Sequence, residues 1–323
     1  MVPAGGALRV EIVGRSPAFT RAVTLLERFA PTTLPVLVVG ETGTGKELLA
    51  QRLHEASGRH GPLVVVNCAA LPQDMVESLL FGHAKGAFTG AVEATTGFVA
   101  AAERGTLFLD ELTSLPLAAQ AKFLRFLESN TLQRLGDTAL RPVDIRVVAA
   151  AQEDLRARVT AGAFRLDLYE RLAGVVLRLP PLRERAEDIL PLAEHFAWSQ
   201  GRSLGATALP VLLAYEWPGN VRELKAAIER AACLGADGVV GSAELAEAIA
   251  LGGPDVPTAA RPRRDDRDLL LRVCAAQGWD VSRAAGALGI GRSTLYRRLS
   301  TLGISSRRLR CRTARKVPVS PIL

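Results

Sequence analysis

The stretch GETGTGKE, Gly40 to Glu47, is the first part of this sequence whose residue types and spacing point to chemistry. It fits G-x-x-x-x-G-K, follows the apolar run LPVLVVG (34–40) and opens the helical pattern KELLAQRLHEA. Glycines let backbone N–H groups turn inward around phosphate oxygens, and the N-terminus of the following helix adds partial positive charge. Gly40, Glu41, Thr42, Gly43, Thr44, Gly45 and Lys46 are therefore expected to wrap nucleotide phosphates, with Lys46 reaching the β- and γ-phosphates. Glu47 departs from the general pattern, which has a Ser or Thr hydroxyl there to help hold magnesium. GTLFLDE (105–111) supplies a partner: an apolar strand that ends in two carboxylates. Asp110 is placed to hold Mg2+, directly or through water, and Glu111 to polarise an attacking water as general base. Alone, such a pair is often a surface turn; in this order after a phosphate loop it is a strong sign of a nucleotide site.

Between these two motifs lies FGHAKGAFTGA (81–91), with little in it to build a core. Gly86 and Gly90 permit a sharp reversal. Ala87, Phe88 and Thr89 form its tip with Ala91 closing it, and His83 and Lys85 stand at its base. Phe88 in water is unfavourable unless it meets a partner, and Thr89 offers a hydroxyl at the apex. The alternative is a glycine-rich hairpin whose Phe88 folds back into the core.

The elements that must position these residues follow from periodicity. Buried-strand patterns recur at 34–40, 63–67, 105–111, 144–151 and 174–180, with helical patterns between them, including PLAAQAKFLRFLES, where Pro116 suits a first helical position. The alternation predicts an α/β fold with a five-stranded parallel sheet, over 1–180. After PPLRER only helical patterns are read, over 181–250. A Gly-, Pro- and charge-rich linker covers 251–267, a compact helical unit covers 268–305, and a basic tail expected to be disordered covers 306–323.

The chain has 323 residues and a net charge of +7. Residues 261–323 hold 15 Arg and Lys against 4 Asp and Glu, so the remainder is mildly acidic. A basic end on an acidic body suggests a nucleic-acid-binding module. Within it, VSRAAGALGIGRSTLYRRLSTLGI reads as helix–turn–helix. Ala284, Ala285 and Leu288 face its core, Gly289 marks the turn, and Leu295 and Leu299 seat the second helix. That leaves Arg292, Ser293, Thr294, Arg297 and Arg298 for double-stranded DNA, the first residues for base edges and the arginines for phosphates. Four scattered cysteines give neither a zinc site nor a disulfide framework, and there is no signal-peptide pattern, transmembrane run or internal repeat. A reducing cytoplasm is the expected location.

Together, GETGTGKE, FGHAKGAFTGA, GTLFLDE, FRLDLYERL and WPGNVREL closely resemble, in this order, the sigma-54-dependent transcriptional activators (bacterial enhancer-binding proteins) of the AAA+ ATPases. The final unit is similar to their Fis-type helix–turn–helix. The resemblance implies that Asn67 holds Glu111 in check and that Arg165 and Arg171 act as arginine fingers in a neighbouring subunit. It makes Arg222 the sensor arginine of a helical lid and Glu47 an ordinary residue at its place. Gly86 to Ala91 become the loop that contacts sigma-54. Asn220 and Glu223 also fit a helix-capping pair. Where relatives often read ATN, this chain reads AAQ, so the polar contact falls to the longer Gln152. The partners implied are sigma-54 RNA polymerase, upstream DNA and further copies of the chain, from a dimer paired through RDLLLRVCAAQG to a hexameric ring. About 34 residues precede the first strand, and no sensing domain is read in them. The reading is an ATP-dependent activator. Two others stay open: a nucleotide-sensing DNA-binding regulator with little turnover, and a DNA-handling ATPase that leaves the loop unexplained.

Overall fold

The computed structural model describes residues 11–88, 90–152, 155–235, 237–252, 266–278, 280–288, 291, 292, 295, 296 and 299. The chain divides into two compact units, one of residues 18–180 with the segment ahead of residue 13, the other of residues 13–17 and 181–323.

The first unit runs α1 (Pro17–Phe29), β1 (Val36–Val39), α2 (Lys46–Ala56), β2 (Leu63–Asn67), α3 (Val76–Phe81), α4 (Phe98–Ala101), β3 (Thr106–Asp110), α5 (Leu117–Ser129), β4 (Thr131–Gln133), β5 (Leu140–Pro142), β6 (Arg146–Ala151), α6 (Leu155–Thr160), α7 (Leu166–Leu172) and β7 (Val175–Arg178). Five strands form one parallel sheet in the order β2-β3-β6-β1-β7. Successive strand side chains point to opposite faces, and here both faces are covered. Leu37, Val39, Leu107, Leu109, Val147, Ala149 and Ala151 build the core on one face. Val36, Val38, Phe108, Val148 and Ala150 build the other, with Leu26 of α1 and Leu49 and Leu53 of α2. This is why the strands read as continuous apolar runs rather than as alternating ones.

Two details differ from the sequence expectation. Pro116 is the residue before α5, not its first turn, with extended backbone. The antiparallel hairpin of β4 and β5 was not foreseen; its strands are three residues each, too short to show a period. Its turn is closed by Asp137, which accepts from the Ala139 N–H at 3.0 Å and from Arg134 Nη2 at 2.8 Å, contacts that hold its carboxyl below the usual range. Arg146, buried in β6, donates to the carbonyls of Phe29 and Ala30 and so closes the C-terminal end of α1. Burial, and then the charge of Arg59, bring its guanidinium down to about 10.

The second unit holds α8 (Ala186–Ser199), β8 (Ser203–Leu204), α9 (Ala208–Ala214), α10 (Asn220–Leu234), β9 (Val239–Val240), α11 (Ser242–Leu251), α12 (Asp266–Ala276) and α13 (Val281–Ala287). The expectation of helices alone needs one correction: β8 and β9 pair in parallel over two residues each, too short to leave a pattern. Fully buried Trp217 centres the helical core and donates to the Leu212 carbonyl at 2.8 Å. Asp188 is also fully buried, and it accepts from the Arg15 N–H, the Ser16 N–H and the Ser16 hydroxyl at 2.6–2.7 Å. Three donors on one carboxylate satisfy a charge that would otherwise be costly to bury. The capping pair divides its work. Glu223 accepts from the Gly219 N–H at 2.8 Å as expected, but the Asn220 amide oxygen instead accepts from the Leu182 N–H at 2.7 Å.

The root of the 82–97 segment is a close backbone crossing. A Cβ added at Gly97 would fall on the Gly82 amide nitrogen and 2.5 Å from the Leu80 carbonyl oxygen. Gly97→Ala is expected to destabilise the first unit by about 1–3 kcal/mol, as overpacking does. A thermal midpoint equal to wild type would show that the crossing opens freely.

Candidate nucleotide site, loop and DNA module

Parallel pairing brings the chemical groups to one edge. β1 ends at Val39, paired with Ala151 of β6, and β2 ends at Asn67, paired with Asp110 of β3. The Gly40 N–H extends the ladder to the Ala151 carbonyl at 3.1 Å. A side chain at Gly40 would meet the Leu179 carbonyl oxygen at 2.9 Å, so the loop can leave the strand here only as glycine. Gly43 and Gly45 have φ of 77° and 104°, a region that glycine enters without strain. The Thr44 hydroxyl donates to the Glu41 carbonyl at 2.7 Å and tightens the turn. α2 then begins at Lys46, whose ammonium is buried and donates to the Gly40 carbonyl at 2.8 Å and the Glu41 carbonyl at 3.3 Å. The lysine thus curls over its own loop. The Glu47 carboxylate accepts from Gln51 at 3.4 Å on the outer side of α2.

Across the edge, Asp110 Oδ1 accepts the Glu111 N–H at 2.9 Å. Glu111 has φ of 53°, left-handed backbone that a non-glycine residue adopts only under constraint. Its Oε1 accepts from Gln152 Nε2 at 2.5 Å. Asn67 Oδ1 accepts the Ala69 N–H at 3.0 Å and caps a short turn of helix. The described residues hold no cluster of three or more His, Cys, Asp or Glu side chains placed for a metal. Asp110 and Glu111 at the end of β3 are carboxylates, the ligand type that nucleotide sites offer magnesium while phosphate oxygens and water supply the rest.

Arg165, just before α7, places its fork on the Asp167 carboxylate at 2.6 and 3.0 Å, which raises the guanidinium and lowers the carboxyl. Arg171 donates twice to the Leu127 carbonyl near the end of α5, at 3.0 and 3.2 Å. In the second unit, Arg222 stands exposed in the first turn of α10.

The loop has a fixed root. His83 pairs with Thr95 through both backbone groups, and Ala84 and Gly82 bond to Leu135 beside the β4–β5 hairpin. The His83 ring takes the Ser78 hydroxyl at 2.8 Å and packs on the Phe88 ring at 5.0 Å between centroids. Gly86 and Gly90 both have positive φ, and the Ala91 carbonyl accepts the Gly86 N–H at 2.9 Å. Ala87 lies against Gly136 and Ala91 is buried, while Phe88 stays 44% exposed and Val92 74%. Phe88 is thus neither buried in the core nor clear of the protein. Lys85, expected to help anchor the base, is exposed, and the anchor is His83. Thr89 lies outside the described residues.

In the final unit, Asp280 caps α13 by accepting from the N–H groups of Ser282 and Arg283 at 2.8 and 3.1 Å. Ala284, Ala285, Leu295 and Leu299 are buried and Leu288 packs against them. Arg292 is exposed. Ser293, Thr294, Arg297, Arg298 and Gly289 lie outside the described residues. α12, read as the helix that pairs two copies, packs here against α8 and α9 of its own chain.

The family profile of the Sigma-54 interaction domain matches residues 12–178, that of the AAA+ ATPase lid domain residues 183–262, and that of Bacterial regulatory protein, Fis family residues 262–302. The chain belongs to the sigma-54 interaction family of AAA+ ATPases. It is 43% identical over 333 aligned residues to the nitric oxide reductase transcription regulator NorR2 of Cupriavidus necator, covering 92% of this chain and 64% of that protein. It is 44% identical to the C4-dicarboxylate transport transcriptional regulatory protein DctD of Rhizobium meliloti, covering 91% and 65%. The crystal structure of NtrX from Brucella abortus in complex with ATP superposes with a TM-score of 0.73 at 34% identity, over 92% of this chain and 70% of that one. The chain spans about two thirds of the length of these relatives. No helix among the described residues is long and apolar enough to cross a membrane.

Two outcomes follow from this geometry. Lys46→Ala removes the charge from the loop and should weaken ATP binding about tenfold or more, read with a fluorescent ATP analogue. Burial, and then the charge of Asp110, push the Cys68 thiol up to about 12. At pH 8 its thiolate is then about one part in ten thousand, so iodoacetamide should leave Cys68 intact while exposed Cys233 reacts. Peptide mass spectrometry of the alkylated protein checks this, and rapid loss of the Cys68 thiol would refute it.

Proposed function

We propose that this chain is an ATP-driven activator that binds upstream DNA and remodels RNA polymerase carrying sigma-54 until the promoter opens. The observation that carries this reading is the Gly86–Ala91 loop. It is rooted by backbone pairing to Thr95 and Leu135 and tipped by a half-exposed phenylalanine, and it lies within the span matched by the Sigma-54 interaction domain.

The roles follow from the positions. The Gly40–Lys46 backbone and the Lys46 ammonium bind the phosphates, with Glu41, Thr42 and Thr44 shaping the turn. Asp110 would hold Mg2+, which supplies charge neutralisation on the phosphates. Glu111 accepts a proton from water as its oxygen attacks the γ-phosphorus and the bond to the bridging oxygen breaks. Asn67 and Gln152 flank that carboxylate from the neighbouring strand ends. Arg165 and Arg171 would serve the nucleotide of an adjacent copy in a ring, and Arg222 would report on it from the lid. Arg292 with Ser293, Thr294, Arg297 and Arg298 would read and grip the DNA site.

The test is open-complex formation with sigma-54 polymerase on a sigma-54 promoter, read by permanganate reactivity of the melted thymines. Wild type should melt the promoter only with hydrolysable ATP, and Thr89→Ala should abolish melting while leaving ATP turnover within about threefold. Turnover without melting by wild type would point to another remodelling target. Neither turnover nor melting would favour the nucleotide-sensing regulator.

A further inference from the structure

The DNA-binding unit shares a core with the lid. α12 packs against α8 and α9 as well as against α13. Its residues Leu270, Val273 and Cys274 recur at helical spacing and are at most 3% exposed. They belong to the same apolar cluster as Leu192 of α8 and Leu209 of α9. Composition alone gives this unit a linker over 251–267 and freedom to move by itself. The shared core opposes that freedom. Arg292 and Tyr296 stay exposed in the docked arrangement, so the face read as the DNA contact remains open at these residues.

A second fastening comes from the other end of the chain. Asp188, near the start of α8, accepts from the N–H groups of Arg15 and Ser16 and from the Ser16 hydroxyl, which seats the backbone of both residues on α8. From that base the Arg15 guanidinium reaches two carbonyls. Its Nε donates to Glu187 at 3.0 Å, and its Nη2 donates to Ala276, the last residue of α12, at 2.6 Å. The last carbonyls of a helix have no N–H of their own helix to accept from and carry partial negative charge, so a cation suits them. Arg15 thus joins the first turn of α8 to the end of α12.

We propose that Arg15 is the latch that fastens the DNA-binding unit to the lid, so that the two move as one body and the DNA face is presented at a fixed angle to the lid. The guanidinium suits this task because its N–H groups diverge from one rigid plane and serve two carbonyls at once. A lysine ammonium, with a single nitrogen, holds the two less firmly. The latched segment runs straight on into α1 at Pro17. A pull on the DNA-binding unit therefore reaches the start of α1 through Arg15, without passing along the linker.

The distance between lid and DNA-binding unit tests this directly in the full chain. Spin labels go on Cys233, exposed at the end of α10, and on an Arg292→Cys variant that also carries Cys311→Ser; Cys68 and Cys274 are buried. Double electron–electron resonance should give one narrow distance distribution with Arg15 intact, a broad one for Arg15→Ala and an intermediate one for Arg15→Lys. Arg15 is itself exposed, so its truncation leaves the core in place. Hydrogen exchange is measured alongside without labels. The amides of α12 should exchange about three- to tenfold faster in Arg15→Ala, as loss of hydrogen bonds from a charged group predicts, with those of β1 and β6 unchanged. A broad distribution with Arg15 intact would overturn the docking itself. A narrow one in Arg15→Ala would show that packing alone holds the unit and would overturn the latch. Faster exchange in β1 and β6 as well would make Arg15 a residue of general stability and would overturn it too.

Discussion

Parallel pairing of β1, β2, β3 and β6, with all four C-terminal ends on one side, is the constraint from which the site follows. Each strand delivers one functional element to the same edge: the phosphate loop after β1, Asn67 at the end of β2, Asp110 and Glu111 from β3, Gln152 after β6. A slip of one residue between β3 and β6 would send Leu107 and Leu109 to the wrong core and carry the carboxylate away from the amide. The two cores on either face of the sheet therefore fix the chemistry as well as the stability. The alanines of β6 serve the same end. Ala149, Ala150 and Ala151 are fully buried on alternating faces and let both helical layers approach the central strands.

The loop obeys a complementary constraint. Its stem is held by backbone hydrogen bonds to Thr95 and Leu135. At its tip Phe88 packs on His83, with Ala87 against Gly136. A fully buried phenylalanine is worth about 1.5–3 kcal/mol, and a ring left nearly half exposed realises only part of that. The rest is available to a partner surface. A tip that is weakly parked on a rigid stem can be displaced without unfolding the unit that binds the nucleotide.

Much of this was legible in the sequence because the signals were local. The phosphate loop is a glycine pattern between a strand and a helix, and its backbone geometry at Gly43 and Gly45 is what those glycines announce. The strands of the sheet were readable because full burial makes them uniformly apolar. What escaped were elements with too few residues to show a period, β4, β5, β8 and β9, and contacts set by register rather than by sequence neighbourhood. Gln152 lies 41 positions from Glu111, and nothing in AAQ or LDE shows that the two meet. Asn220 was legible as a turn residue, but its bond to Leu182, 38 positions away, was not. Arg146, inside the run 144–151, is buried and bonds to the end of α1, a partner that the sequence does not show.

The two arginines assigned to a neighbouring nucleotide are not equivalent, and their present partners say why. Arg165 is exposed and paired with an exposed carboxylate, Asp167, two residues away. Exposed pairs of this kind contribute little, because water and salt serve both partners almost as well. A phosphate can therefore take the Arg165 fork while Asp167 is left solvated. Arg171 supplies both of its hydrogen bonds to one carbonyl, that of Leu127 near the C-terminal end of α5, where the helix's own N–H groups have run out. Drawing Arg171 away leaves that carbonyl to find another donor in a partly buried position, and the cost falls on the packing of α5 against α7. If both serve the nucleotide of an adjacent copy as proposed, Arg165 exchanges its partner at little cost and Arg171 only by giving up the Leu127 carbonyl.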